Sequence, residues 1–285
     1  MMRFIVPRRW ICRLLTAVVG VVVAARAAGP AEVAAAEPGS QTDDRLQFMK
    51  STLAEYQIAV SGAPGSTPRK FTRIEEPLLR WDNPVSNVPD GTLFLWTDET
   101  GRPGFAAQVF IAGGTKHLWL HEFQSLAVEK FRVVRGAEAI WTPEREGVDF
   151  QPVPDAPAPG ETKSARLVQM RQIARRFAAE DDFEGRSRWE LRLLTTPVYR
   201  YGDGRAEDPL LDGALFAYAH GTDPEALLLV EVRNTPSGPA WVYALAPMTG
   251  YALRVTHLGE EVWSVGWRKE PYDLREPFVC LPYRP

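Results

Sequence analysis

The sequence predicts an α+β fold in which one unit, a helix followed by a curled antiparallel β-meander, occurs twice in tandem. Three observations predict it. Asp90-Gly91-Thr92-Leu93-Phe94-Leu95-Trp96 recurs as Asp212-Gly213-Ala214-Leu215-Phe216-Ala217-Tyr218, 122 residues on. Two segments carry an apolar stripe at helical spacing. After each of them the apolar period falls to two, with Gly and Pro between short runs.

The internal match is long. Trp119 corresponds to Trp241, Arg132-Val133 to Arg254-Val255, Glu138 to Glu260 and Trp141 to Trp263, all at the same offset of 122. Pro77-Leu78-Leu79-Arg80-Trp81 corresponds to Pro197-Val198-Tyr199-Arg200-Tyr201 at 120, and Arg45-Leu46 and Met49 to Arg166-Leu167 and Met170 at 121. An offset that wanders so little is what a duplication with small loop changes leaves.

Element by element, the chain starts with Arg3, Arg8, Arg9 and Arg13, an uncharged apolar run from Leu14 to Ala25, then Ala25-Arg26-Ala27 and Ala34-Ala35-Ala36. Basic, apolar and small-residue segments in that order predict a signal peptide over 1–36. The apolar run is shorter than the roughly 20 residues that a membrane-spanning helix needs. The first unit is assigned to 37–151, with Leu46, Met49, Leu53 and Tyr56 as its helix stripe. Strands are expected at 70–75, 78–82, 92–97, 105–111, 117–124, 127–134 and 138–142, punctuated by Pro89-Asp90-Gly91, Gly101-Arg102-Pro103-Gly104, Gly113-Gly114 and Gly136. A Pro-rich linker occupies 152–162. The second unit, 163–285, opens with a helix capped by Ser164 or Thr162 and striped by Leu167, Met170, Ala174 and Phe177. Strands then follow at 189–195, 198–201, 213–219, 226–233, 240–246, 251–257 and 261–265. Such tight spacing implies antiparallel pairing, because parallel strands need long crossovers. Arg166, Arg171, Arg175 and Arg176 precede Glu180, Asp181, Asp182 and Glu184 along the second helix as read. That order opposes the helix macrodipole and is assigned to a solvated face.

Helix-then-meander order resembles cystatin-like folds, and two such units edge to edge resemble the open half-barrel of bacterial lipoprotein carriers. Trp189-Glu190-Leu191-Arg192-Leu193-Leu194, Pro197-Val198-Tyr199-Arg200-Tyr201, Asp212-Gly213-Ala214-Leu215-Phe216 and Gly221-Thr222-Asp223-Pro224-Glu225 together resemble an uncharacterised family of exported proteins of planctomycete-type bacteria. The resemblance covers most of 45–265 and implies an exported compartment with no assigned activity.

Charge excludes one class of partner. Loss of residues 1–36 removes five Arg and one Glu and carries the formal charge from −3 to −7. No basic face is left for nucleic acid. Cys280 is then the one remaining cysteine, so no internal disulfide is expected. No cofactor is implied either, since no phosphate-cradling glycine loop is present.

Candidate chemistry is sparse. His117 and His121, with Glu122 adjacent, stand four apart. The alternating segment around them reads as a strand, where such residues lie about 13 Å apart and cannot share one metal ion; no metal site is assigned. Asp98 and Glu99 follow a strand, and Asp98 corresponds to His220; the set suits acid–base chemistry or, preferably, an ordinary polar turn. Trp81, Trp96, Trp119 and Trp241 keep an aromatic in both copies, for packing or for an apolar ligand cleft. The leading expectation is a periplasmic or extracellular, non-enzymatic binding module whose partner is a small apolar ligand, a glycan or an envelope protein, with no stable membrane span after signal cleavage. A hydrolase with its site in one diverged copy and a structural envelope component are the alternatives.

Overall fold

A computed structural model describes residues 38–60, 70–112, 118–128, 130–183, 185, 187–202, 209–268 and 271–283. The signal-peptide reading of 1–36 and His117 lie outside these residues.

The first half runs α1 (Pro38–Ala54), β1 (Tyr56–Val60), β2 (Thr72–Arg73), β3 (Leu79–Asn83), β4 (Val88–Thr97), β5 (Pro103–Ala112), β6 (Leu118–Ser125), β7 (Phe131–Arg135) and β8 (Glu138–Trp141). The short β9 (Gln151–Pro152) leads to α2 (Lys163–Ala174). There follow β10 (Phe177–Phe183), β11 (Ser187–Leu193), β12 (Tyr199–Tyr201), β13 (Leu210–His220), β14 (Asp223–Thr235), β15 (Gly238–Pro247), β16 (Ala252–His257), β17 (Glu260–Val265) and β18 (Phe278–Pro282).

These strands form three antiparallel sheets among the described residues. One has the order β1-β7-β8 and one β18-β6-β5-β4-β2, with β3 also on β4. The largest has the order β17-β16-β10-β11-β13-β14-β15-β9, with β12 also on β13. The last strand thus returns to pair with β6, Val279 opposite Phe123.

Alternation along the central strands builds the layers. Phe94 and Trp96 of β4 pack under Met49 and Leu53 of α1. Leu93 and Leu95, pointing the other way, meet Leu215, Ala217, Leu227 and Leu229 of the largest sheet. The opposite residues of that sheet, Ala214, Phe216, Tyr218, Leu228 and Val230, pack on Met170, Ile173 and Ala174 of α2. Strands covered on both faces read as nearly continuous apolar runs, which is how β4, β5, β13 and β14 appear in sequence. Polar groups also cross between the sheets. Gln108 donates to the carbonyls of Pro224 (2.7 Å) and Met248 (3.1 Å), and Thr222 donates to the Asp82 carbonyl.

The expected fold class is corrected. The protein is mostly β, with 54% of the described residues in strands and 12% helical, in place of an α+β tandem of helix-plus-meander units. Among the described residues there are two helices, and the curled antiparallel sheets carry the architecture. The division of sheets also differs: β1 to β8 split between a three-stranded and a six-stranded sheet, whereas β10 to β17 share one and β18 crosses back to the six-stranded sheet. The physical reason lies just after each helix. Tyr56 and Phe177, read as the ends of helical stripes, open strands. Glu180, Asp181 and Asp182 are therefore strand residues, and the objection from the helix dipole disappears. Strand β10 is bonded on both sides, to β11 and β16, and this pairing overrides the helix propensity of Ala and Glu.

Thr162 is the cap of α2, its hydroxyl accepting from the Ala165 N–H at 3.1 Å. Arg166 is not solvated as expected: it is 6% exposed and lies on the buried face of the helix. Among the described residues no helix is long and apolar enough to cross a membrane.

Candidate functional site

A cleft of about 380 Å³ lies where the largest sheet curls far enough for β17 to face β15 and β9; Asp149, Gln151, Pro152, Tyr243, Leu245, Val262 and Trp263 line it. Pairing puts Gln151 directly opposite Tyr243. On the other wall the register slips, with Val255 opposite Trp263 but Thr256 opposite Glu261. Val262 is the extra residue of this bulge, which lets two consecutive side chains, Val262 and Trp263, line the same cleft.

The polar side of the cleft is organised. Gln151 donates from Nε2 to Asp149 Oδ2 at 2.7 Å. Burial, then the Asp149 carboxylate, raises the Tyr243 hydroxyl above the ordinary phenol range, so it stays a hydrogen-bond donor at neutral pH. Below the cleft the Phe177 ring lies 4.8 Å from Tyr243 and 4.7 Å from His257. Burial, aided by Arg176, lowers the His257 imidazole, whose Nε2 is buried with no hydrogen-bond partner among the described residues.

A second cluster forms on the same sheet. Asp181 of β10, His220 at the end of β13 and Glu225 of β14 hold one donor atom each within 4.8 Å of one another. Asp181 and Glu225 are 2% and 5% exposed. A second bulge positions Glu225: Tyr218 pairs with Ala226 but Ala219 with Pro224, leaving Glu225 as the extra residue. Asp181 stands directly opposite Trp189, whose indole lies 5.0 Å from the His220 ring. Burial raises the Asp181 carboxyl against the opposing pull of His220.

The candidate catalytic and ligand-binding residues of the sequence, His220 excepted, lie apart from both places. His121 is fully buried, with Tyr56 Oη 2.8 Å from Nδ1 and Thr52 Oγ1 3.4 Å from Nε2. Tyr283 stacks on its ring at 4.8 Å. Glu122, also buried, is its neighbour on β6 and so points to the other face. Asp98 closes a turn, its Oδ1 accepting from the Thr100 N–H (2.9 Å), the Thr100 hydroxyl (2.7 Å) and the Arg102 N–H (3.0 Å). Glu99 is exposed in the same turn. Trp81 packs with Phe110, Trp96 stacks on Phe105 at 4.4 Å, Trp119 lies against Phe48 and Trp241 fills the core beneath α2. Trp96 and Trp119 share the core beneath α1, Trp81 and Trp241 lie in two other packing regions, and none of the four lines the cleft. Trp263, noted in the sequence as the counterpart of Trp141, is the tryptophan that reaches the cleft.

Burial of His121, and secondarily Arg135, pushes its imidazole down to about 3. An unfolded histidine titrates near 6.5. The unfolded chain therefore binds the proton first, so the stabilisation is complete above about pH 6.5 and is lost as pH falls toward 3. Between pH 7 and pH 5 this group is expected to remove about 2 kcal/mol of stability. Urea midpoints of the protein and of His121→Gln at both pH values check this; equal losses in the two proteins would refute it.

Comparison of the chain with protein-family models, with curated proteins and with solved structures finds no match.

Proposed function

We propose that this is an exported, non-enzymatic binding protein, and that the cleft between β17 and the β15–β9 edge takes a small saccharide. The observation that carries the reading is the lining itself, an indole and aliphatic wall facing an oriented carboxylate and amide. The volume falls in the usual range for small-ligand sites, about 300–1,000 Å³. An acyl chain filling this cleft would strip water from Asp149 and Gln151 and return no hydrogen bonds, a costly exchange. A pyranose offers an apolar C–H face to Trp263 and hydroxyls to Asp149, Gln151 and Tyr243. Export is supported by the basic, apolar and small-residue order of the N-terminus and by the resemblance to exported planctomycete-type proteins.

The test is capture on a panel of immobilised oligosaccharides, with a fluorescent fatty acid as the competing probe. At least one saccharide is expected to bind, and Trp263→Ala is expected to weaken it about tenfold or more, a loss of about 1.4 kcal/mol. Trp263 is half-buried at the edge of the sheet, so the variant is expected to remain folded. Binding of the fatty acid in preference to every saccharide, or capture indifferent to Trp263→Ala, would overturn the proposal.

A further inference from the structure

Resting on the saccharide reading of the cleft, we propose that its ligand is an amino sugar carrying a free, protonated amine. Charge is the first observation. Of the side chains that line the cleft, Asp149 alone is ionised at neutral pH, and none is Lys, Arg or His. Its Oδ2 accepts from the uncharged Gln151 amide at 2.7 Å, and among the described residues no guanidinium or ammonium pairs with it. The buried carboxylates of Asp90, Asp212 and Glu231, by contrast, each take at least one arginine. The Asp149 carboxylate is left to solvent or to a ligand.

The second observation is where its field goes. Asp149 is exposed, yet Tyr243, only 5% exposed, feels it: after burial, Asp149 is what raises the Tyr243 hydroxyl. The charge therefore acts into the cleft as well as outward. Trp263 adds its indole from the β17 wall. Two aromatic rings beside a carboxylate are the surroundings an organic cation favours, because ring faces carry negative charge and indole attracts a cation most strongly. The floor adds no opposing imidazolium. His257, behind the Phe177 ring, is kept neutral by burial and then by Arg176. Arg176 itself turns to the Asp155 carbonyl, Nη1 donating at 3.1 Å. The approach along β17 is acidic too, since the exposed Glu260 and Glu261 precede Val262 and Trp263, although Arg254 offsets Glu261.

These groups discriminate among sugars. A glucosamine unit sets its apolar C–H face on Trp263 and presents its ammonium to Asp149, a charge-assisted hydrogen bond roughly twice as strong as a neutral one. N-acetylation puts a neutral amide in place of the ammonium and forfeits that bond. A uronic acid brings a second negative charge to Asp149, and like charges set against each other are penalised.

The experiment is calorimetric titration of the full-length protein, at low salt and below the amine's own pKa. The probes are oligomers of glucosamine, N-acetylglucosamine and glucose of equal length and linkage. The glucosamine oligomer is expected to bind about tenfold tighter than the other two. High salt is expected to shrink that advantage, since Asp149 is exposed and screened. Asp149→Asn, isosteric and on the surface, is expected to keep the fold and to bring the ratio of affinities close to one. An oligolysine of equal charge controls for attraction to the acidic surface at large and is expected not to compete. Equal affinity for the three oligomers, a preference that survives Asp149→Asn, or competition by oligolysine as strong as that by the amino sugar overturns the inference. Failure of every oligomer to bind overturns the saccharide reading as well.

Discussion

Asp212→Ala is expected to lower stability by about 3–5 kcal/mol, as removal of one partner from a buried ion pair does. Asp212 is fully buried and receives two guanidinium groups. Arg166 donates from Nε to Oδ2 at 2.9 Å. Arg200 grips both oxygens, Nε to Oδ1 at 3.0 Å and Nη2 to Oδ2 at 2.8 Å. The same two arginines hold the start of α2, Arg166 through the carbonyls of Gly160 and Glu161 and Arg200 through that of Lys163. Without Asp212, Arg166 keeps its burial and loses its counter-charge. A built-in comparison exists. Among the described residues Asp90 receives a single guanidinium, that of Arg80, at 3.0 and 2.8 Å, and Arg80 also holds the Thr42 carbonyl of α1. Because the Arg80 side chain is 29% exposed, water can take over part of its solvation. Asp90→Ala is therefore expected to cost about 1–3 kcal/mol, the range for a hydrogen bond to a charged group. Urea unfolding of the two variants ranks them through their midpoints at constant slope. A smaller loss for Asp212→Ala than for Asp90→Ala would refute the assignment.

These two forks show what the sequence let one read and what it hid. The Asp-Gly pairs at 90–91 and 212–213 stood out because they recur, and they were natural candidates for turns. The structure places both inside strands, β4 and β13. Each Asp takes an arginine, and each Gly leaves room for a ring: a Cβ would come within 2.6 Å of Trp81 at Gly91 and within 2.4 Å of Tyr201 at Gly213. The residues were visible, and the reason for them was tertiary. Strand runs such as 105–111 and 226–233 were legible because alternation or continuous apolarity survives in any context. Strand β10 was not, since Ala178, Ala179, Glu180 and Asp181 carry no β preference and gain their conformation from neighbours on both sides. The cleft and the polar cluster were hidden for a related cause. Each depends on a β-bulge, at Val262 and at Glu225, and an extra residue in a ladder has no signature in a single strand's composition. Their partners come from strands far apart in the chain, so no local motif announces them.

The second large effect is expected where the two main sheets lock together. Glu231 of β14 is fully buried. Arg102, from the turn between β4 and β5, reaches across to it with Nε to Oε1 at 3.0 Å and Nη2 to Oε2 at 3.3 Å. From its own sheet come Arg233 Nε at 2.6 Å and the Tyr201 hydroxyl at 3.0 Å. Both guanidinium groups also lie over the Phe150 ring, at 5.0 Å and 3.8 Å. Burial, with Glu231 beside it, holds Tyr201 well above the ordinary phenol range, so the hydroxyl donates. Glu231→Ala would leave two cations facing each other over one ring, and a loss of about 3–5 kcal/mol is expected. Arg102→Ala should cost less, since Arg233 and Tyr201 still satisfy the carboxylate. The pair is tested as a cycle. Because Arg102 acts largely through Glu231, the double variant should resemble Glu231→Ala alone, with a coupling of about 1–3 kcal/mol. Both sheets share the apolar layer built by Leu93, Leu95, Leu215 and Leu229, so the loss should appear as one shifted unfolding transition. Strict additivity of the two substitutions would mean that this contact does not join the sheets energetically.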